Sequence, residues 1–132
     1  MFAALRYRDA PAAVEWLERA LGFETTERID SPDGTVAHAE LRLGDGLIML
    51  GSAPGGLEDV PDDPRATRVT IYVAVQDVDA LHARAKDAGA EVSDLFEQDY
   101  GSRDFSARDL EGNHWSFGTY VPQAAAASPD SL

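Results

Sequence analysis

The sequence predicts an α+β fold built from two tandem βαβββ modules. Helix caps, helix-ending glycines and turn glycines carry this prediction, because each recurs at a near-constant offset. Equivalent landmarks lie 66 to 68 residues apart: Asp9 with Asp77, Gly22 with Gly89, and Gly46 with Gly112. Such spacing indicates an internal duplication in which each half runs from a strand through a capped helix to strands joined by glycine turns.

The first half begins with the strand FAALRY at residues 2–7. The segment DAPAAVEWLERALGF predicts a helix with Asp9 as N-cap, Pro11 in the first turn and Gly22 at the end. TVAHAELRL then alternates in polarity and predicts a half-buried strand. One row of this strand is apolar and the other polar: Ala37, Ala39, Leu41 and Leu43 against His38, Glu40 and Arg42. LIML, after the GDG turn, predicts the closing strand.

The second half repeats this order. RVTIYVAV predicts a strand whose apolar row is suited to packing beneath a helix: Val69, Ile71, Val73 and Val75. QDVDALHARAKDAGAEV predicts a helix capped by Asp77, with His82 exposed to solvent. DFSARDLEGNHWSFGTY predicts a strand, a turn and a strand, with Trp115 in the helix-facing row. We therefore expect one domain over residues 1–121, with module one at 1–51, a linker at 52–67, module two at 68–121 and a disordered tail at 122–132.

Composition excludes several classes of partner. The 24 acidic and 11 basic residues give a formal net charge of -13, which disfavours nucleic acids and anionic membranes. A small anionic ligand stays possible where a local arginine offsets the field. The absence of cysteine excludes disulfides and thiolate chemistry. No signal peptide or membrane-spanning run is predicted, so the expected location is cytoplasmic.

Three features together resemble a known family. They are the paired βαβββ order, the helix start DAPAAVEWLERALGF, and the turn DLEGNHW at residues 109–115. The chain is similar over residues 2–120 to the vicinal oxygen chelate superfamily, which includes glyoxalase I, extradiol dioxygenases and bleomycin-resistance proteins. The resemblance implies two modules that form one cup-shaped mixed sheet, with helices outside and the ligand inside.

Metal-dependent members of that superfamily hold a divalent ion in the cup, usually on two His (or His and Gln) of the opening strands and two Glu of the closing strands. Counted from the capping aspartates, the matching positions hold Phe2, Met49, Thr70 and Ser116. A slip of one residue in the first module offers Met1, Ala3, Ile48 or Leu50. None of these is an ordinary ligand for such ions. We therefore predict no metal and no cofactor, which disfavours glyoxalase I and ring-cleaving dioxygenase chemistry.

Several polar and aromatic residues are candidates for ligand binding. His38 and Glu40 share one strand face, where they are either an acid–base pair or part of a solvated surface. His114 and Ser116 share a face at the closing position, although His114 could be a surface residue beside the turn. Tyr72 faces the predicted cup, where aromatic walls suit small molecules. Tyr100 and Arg103 lie near a loop; Arg103 either binds an anion or pairs with an acid such as Asp104 or Asp109.

The resemblance favours a bleomycin-resistance-type protein that binds a small organic molecule, an antibiotic or a metabolite, without turnover. It also implies a homodimer with ligand in grooves shared by the subunits. The negative charge is compatible with cationic ligands. One alternative is a lyase or isomerase-type enzyme that uses His38, Glu40 or His114, or a displaced metal site, so enzymatic activity stays open. Another is a regulatory or scaffold module without a defined pocket.

Overall fold

A computed structural model describes residues 2–53 and 70–122 of the chain. The first half contains β1 Ala3–Tyr7, α1 Ala10–Leu21, β2 Glu24–Asp30, β3 Val36–Leu43 and β4 Gly46–Ser52. The second contains β5 Thr70–Ala74, α2 Val78–Asp87, β6 Glu91–Val92, β7 Phe96–Glu97, β8 Arg103–Arg108 and β9 His114–Gly118. This order confirms the α+β prediction of two related modules. Val69, most of the predicted linker and the tail beyond residue 122 lie outside the described residues.

Each module builds its own mixed sheet. The first sheet has the order β1-β4-β3-β2 and the second β5-β9-β8-β6, with β7 also paired to β8. The opening strand of each module runs parallel to the closing strand: Ala4 lies opposite Met49, and Tyr72 lies opposite Ser116. Met49 and Ser116 therefore occupy equivalent closing-strand positions, as the sequence alignment of the two halves predicted.

The helix ends follow the predicted caps. Asp9 accepts a hydrogen bond from the Ala12 amide at 3.1 Å, and Asp77 accepts one from the Ala80 amide at 3.0 Å. Gly22 ends α1 in the left-handed region at φ 77°, where glycine avoids the steric cost of a Cβ. The second helix was predicted to stop at Gly89, which has φ 83° just past the helix end. The helix ends at Asp87, and Glu91–Val92 forms a short strand.

One pair of duplication landmarks needs correction. Gly112 lies in the turn before β9 at φ 87°, and its counterpart before β4 is Gly44 at φ 59°. Gly46, the predicted counterpart, is already the first residue of β4. The corrected pair lies 68 residues apart, the same offset as Asp9 and Asp77.

The edge of the first sheet explains two local differences from the prediction. β2, which the polarity pattern did not reveal, is an edge strand whose residues are almost all exposed, so no apolar row marks it. Its pairing with β3 is irregular where Asp30 faces Val36 and Ile29 faces His38. This bulge turns Val36 into the core and leaves Ala37 exposed. Ala37 was predicted to be buried, and the extra residue breaks the expected alternation.

The core lies between the sheets and the two helices. The predicted helix row of Val14, Leu17 and Leu21 is buried, as is Trp115. Ile71, Val73 and Val75 pack against this core, as expected for the helix-facing row of β5. Phe23, just after α1, meets Trp115 edge to face with ring centroids 5.8 Å apart. This contact joins the two modules and adds to the hydrophobic stabilisation of each.

The two modules contact each other through their helix-bearing sides. The Arg84 side chain on α2 donates to the carbonyls of Glu18 and Arg19, and Arg19 donates to the Ala88 carbonyl at 3.0 Å. Within the two described ranges, no hydrogen bond joins a strand of the first sheet to a strand of the second. The two modules therefore form two separate sheets within the described residues.

A buried carboxylate holds the turn between β8 and β9 to the first module. Asp109 accepts from the Tyr7 hydroxyl at 2.6 Å and from Trp115 Nε1 at 3.1 Å. It also accepts from the Asn113 side chain and from the amides of Glu111 and Asn113. The DLEGNHW motif is thus explained by structure, because its aspartate joins the ends of both modules in the core.

The same turn braces the start of α1. Glu111 accepts hydrogen bonds from the amides of Arg8 and Asp9 at 2.7 and 2.8 Å. These amides precede the helix and point out of the first module. A carboxylate from the second module therefore satisfies backbone donors of the first, which couples the two modules through charge-assisted hydrogen bonds.

We expect the Tyr7 contact to make stability fall at high pH. Burial raises the pKa of the Tyr7 phenol above its ordinary value of 10.0, and the Asp109 charge acts in the same direction. The unfolded chain therefore loses this proton first, so the stabilisation is complete below pH 10 and decreases above it. Tyr7→Phe removes the contribution. Between pH 10 and 11, the free energy of unfolding in urea should fall by about 1 kcal/mol more for the wild type than for the variant. Equal slopes would contradict this prediction.

Candidate functional site

Both sheets have an outer face, which we define as the face opposite the helices. On the first sheet its central residues are Ala4, Arg6, His38, Glu40, Arg42, Leu47 and Met49, with Phe2 in continuation. On the second sheet they are Thr70, Tyr72, Ala74, Asp104, Ser106, His114, Ser116 and Gly118. Five of the predicted binding residues lie on these two faces: His38, Glu40, Tyr72, His114 and Ser116.

His38 and Glu40 form a pair on the first outer face. His38 Nε2 lies 2.8 Å from Glu40 Oε2, and about a third of each side chain is exposed. Arg42, the next residue in this row, is bound instead by Glu24 at 2.7 Å. The imidazole is thus held in one orientation by a carboxylate, which is the arrangement an acid–base group needs. The face is nevertheless open to solvent, so both interpretations of the pair persist.

The second outer face contains a buried carboxylate under a tyrosine. Asp104 accepts hydrogen bonds from the Ser102 hydroxyl and from Gln98 Nε2, and only 2% of its surface is exposed. Burial raises the pKa of the neighbouring Tyr72 phenol, and the Asp104 charge raises it further. Tyr72 therefore stays a neutral hydrogen-bond donor, and it donates to the Tyr120 carbonyl at 2.6 Å.

Because Gly118 has no side chain, there is space beside it for the Tyr72 hydroxyl and the Asp104 carboxylate. A Cβ placed on Gly118 would lie 2.7 Å from the Tyr72 hydroxyl and still closer to Asp104 Oδ1. Any side chain at this position would displace one of the two groups. The glycine is required here by close approach and not by its backbone conformation, since its φ is not positive.

The remaining residues of the second face border this cluster. Tyr100, 61% exposed, meets the Tyr120 ring edge to face at 5.3 Å. His114 Nδ1 lies 2.8 Å from the Thr70 hydroxyl. Ser116 is half-buried between its strand neighbours Tyr72 and Ser106. The structure therefore brings Tyr72, Tyr100, His114 and Ser116 onto one continuous surface of aromatic and polar groups.

Arg103 is not part of that surface. Its guanidinium contacts Asp79 at the start of α2 and Glu97 on β7, at 2.7 and 2.8 Å. These hydrogen bonds raise the pKa of Arg103 above its ordinary value. The ion-pair interpretation from the sequence agrees with this arrangement, but the partners are not Asp104 or Asp109, which are bound by neutral donors in the core.

The prediction that His82 is exposed was wrong. His82 is half-buried, with Nε2 2.8 Å from the Ser93 carbonyl and its ring 5.0 Å from Phe105. The helix turns this side chain toward β8, where it covers a core aromatic ring. It is a packing residue and lies away from both outer faces.

A groove of about 750 Å³ separates the β3–β4 turn from β5. Its lining is largely apolar and includes Phe23, Ile48, Ile71, Val73 and Tyr72. Within the described residues, β5 pairs with β9 along one edge, and its other edge faces this groove. The groove is thus bordered by unpaired backbone groups as well as apolar side chains.

The superfamily metal position does not fit a metal ion in this chain. Its four residues offer a phenyl ring, a thioether and two hydroxyls, and the Thr70 hydroxyl is already bonded to His114. Among the described residues, no three or more His, Asp or Glu side chains are grouped to hold an ion. Divalent ions of this kind require imidazole or carboxylate ligands, and this position has neither.

Several residues of the site were not found from the sequence. Asp104 was considered only as an ion-pair partner, and Ser102 and Tyr120 were given no role, yet the three complete the cluster around Tyr72. A period-two count along β8 places Asp104 on the same face as Ser106, which is the signal that could have identified it. Tyr120 gave no comparable signal, because its role depends on a backbone carbonyl.

The comparisons with known proteins agree with this architecture. The family model described as Glyoxalase/Bleomycin resistance protein/Dioxygenase superfamily matches residues 2–117. The chain belongs to this superfamily. A superfamily relative, the uncharacterized protein Mb0911c of Mycobacterium bovis, is 37% identical over 118 residues, which span 86% of this chain and 78% of the relative.

Two solved superfamily structures share the fold over nearly the whole chain. TioX from Micromonospora sp. ML1 is 34% identical, with a TM-score of 0.75 over 92% of this chain and 98% of TioX. A bleomycin-binding protein complexed with bleomycin is 19% identical, with a TM-score of 0.70 over the same shares. At 19% identity, the similarity to the bleomycin-binding protein shows only that the fold is shared. In the described part of the chain, neither helix is long and apolar enough to span a membrane.

Proposed function

We propose that this superfamily member binds a small organic molecule on its outer faces without a metal ion. The observation that carries the proposal is the continuous surface of Tyr72, Tyr100, Tyr120, Ser116 and His114. Aromatic walls with a few fixed polar groups are typical of small-molecule sites. The residues at the superfamily metal position are poor metal ligands, which favours direct binding of the molecule by these aromatic and polar side chains. The structural likeness to a protein complexed with bleomycin supports an antibiotic or a metabolite as the ligand.

We also propose that the functional unit is a homodimer. Large apolar side chains stand open on the first outer face: Phe2 is 64% exposed and Ile29, beside His38 on β2, is 52% exposed. Exposed apolar surface of this kind marks an interaction site. Because the modules of one chain join through their helix sides, an outer face of one copy is available to the outer face of another. A ligand between them would be enclosed by both.

Metal-free bleomycin is the first probe for this site. We expect protein treated with EDTA to bind it saturably in isothermal titration calorimetry, and we expect Tyr72→Ala to weaken binding about 3- to 10-fold through loss of aromatic contact. Leu110→Ala is the control, because Leu110 is similarly apolar and exposed but lies in the β8–β9 turn. Absence of binding without added metal, or equal weakening by both variants, would contradict the proposal.

A second function is favoured by the His38–Glu40 hydrogen bond. The pair suits an acid–base role in a lyase or isomerase-type reaction, with Glu40 orienting the imidazole. Such an enzyme would exchange a carbon-bound hydrogen of its substrate with solvent. Incubation of candidate carbonyl metabolites in D₂O, with wild type and His38→Gln compared by NMR, tests this function. Deuterium incorporation that requires His38 would favour the enzyme over the binding protein.

A further inference from the structure

We propose that the first outer face holds a binding site for an oxyanion, a carboxylate or phosphate group carried by a small molecule. Arg6 on β1 and His38 on β3 are the binding groups, and Gly51 on β4 lies between them. This site goes beyond the aromatic surface of the second sheet and does not depend on which molecule binds there.

The placement follows from the strand register. Arg6 lies opposite Gly51, and His38 is the β3 residue next to the last pair that β3 forms with β4, Ala39 with Leu50. Gly51 has little room for a side chain, because an added Cβ would lie 3.1 Å from the Ala37 carbonyl oxygen and 3.4 Å from that of Val36. A cavity of about 170 Å³ lies over this part of the sheet, and Ala4, Met49 and the two basic residues line it.

Arg6 is free to bind an occupant. It is exposed, and its side chain makes no hydrogen bond or ion pair within the described ranges. Other arginines of the described chain are engaged: Arg28 with Asp30, Arg42 with Glu24, and Arg103 with two acids. In a chain with more than twice as many acids as bases, an arginine that meets no carboxylate keeps its full charge and its fork of donors for a ligand.

His38 completes the site from the opposite side. Its Nε2 is held by Glu40, which does not line the cavity, so Nδ1 is the ring nitrogen left to contact an occupant. Glu40 thereby positions the ring while its own charge is engaged by the imidazole. The cavity is large enough for a planar carboxylate or a tetrahedral phosphate, and the guanidinium geometry matches either group in a bidentate manner.

NMR titration with acetate and with inorganic phosphate tests the site. We expect saturable shifts of the Arg6, His38 and Gly51 amides, with dissociation constants in the millimolar range that suits a single small group. Arg6→Gln should weaken binding at least 10-fold. The affinity of Arg6→Lys should lie between those of the wild type and Arg6→Gln, because lysine keeps the charge and loses the bidentate geometry. Arg42→Gln is the matched control, since Arg42 is exposed on the same face but bound to Glu24. It should leave binding unchanged.

The titrations distinguish a carboxylate site from a phosphate site, and they also show whether the proposal is wrong. Saturation by both anions supports an oxyanion site in general, and saturation by one alone assigns the site to that group. Sodium chloride at equal ionic strength corrects for screening. The proposal is overturned if chloride reproduces the shifts, if neither anion saturates, or if Arg42→Gln weakens binding as much as Arg6→Gln.

Discussion

Substitution of Asp109 by Ala is expected to lower the free energy of unfolding by roughly 3–5 kcal/mol. The carboxylate is 6% exposed and accepts five hydrogen bonds. Its removal leaves the Tyr7 hydroxyl and Trp115 Nε1 buried without partners, and an unpaired buried donor costs about 1–3 kcal/mol. It also releases the turn that carries Glu111, which braces the start of α1.

Asp45→Ala is the control for this effect. Asp45 lies in the corresponding turn of the first module, before β4, but it is exposed. Its substitution should change stability by less than about 0.5 kcal/mol, as is usual for surface positions. Urea unfolding monitored by tryptophan fluorescence measures both variants. A small effect of Asp109→Ala, similar to that of Asp45→Ala, would show that the buried network does not join the modules energetically.

Gly118→Ala is expected to cost roughly 2–3 kcal/mol of stability and to disorder the second outer face. The added Cβ would overlap the Asp104 carboxylate and crowd the Tyr72 hydroxyl at 2.7 Å. Asp104 is enclosed, so it cannot move without losing its bonds to Ser102 and Gln98. Thermal denaturation should show the loss, and bleomycin affinity should fall with it because Tyr72 is displaced.

Gly46→Ala is the matched control for Gly118→Ala. Gly46 also starts from a conformation without positive φ, and its added Cβ meets only the Leu43 carbonyl, at 3.3 Å. We expect a change below about 1 kcal/mol. Equal effects of the two substitutions would mean that a general glycine preference, and not the Tyr72–Asp104 cluster, governs the second position.

The sequence predicted what local patterns encode. Capping aspartates, helix-ending glycines and the apolar row of β5 depend on neighbouring residues only, so the two modules and their order were predictable. β2 was missed because an exposed edge strand needs no apolar row. Ala37 was placed on the wrong side because one inserted residue at a bulge reverses the alternation, and that insertion depends on the pairing with β2.

The site residues were predictable only where the alternation of side chains along a strand determines which face a residue occupies. His38, Glu40, Tyr72 and Ser116 were assigned to their faces by counting along strands, and the register agrees. Tyr120 and Ser102 act through contacts between distant segments, which no spacing rule reveals. Asp109 was considered only as an ion-pair partner, yet its donors come from Tyr7 and Trp115, which lie 102 and 6 residues away in the sequence.

The central claim is that the outer faces of two copies together enclose the ligand, and cysteine cross-linking tests it most directly. The chain contains no cysteine, so Met49→Cys and Ser116→Cys each introduce a single thiol on an outer face. A mixture of the two variants, treated with a short bis-maleimide, should give a covalent dimer that contains one copy of each. Bleomycin should change its yield, since ligand occupies the same space. Failure to form the mixed dimer, together with intramolecular cross-linking in the Met49→Cys/Ser116→Cys double variant, would contradict a shared site and place the enclosed surface within a single chain.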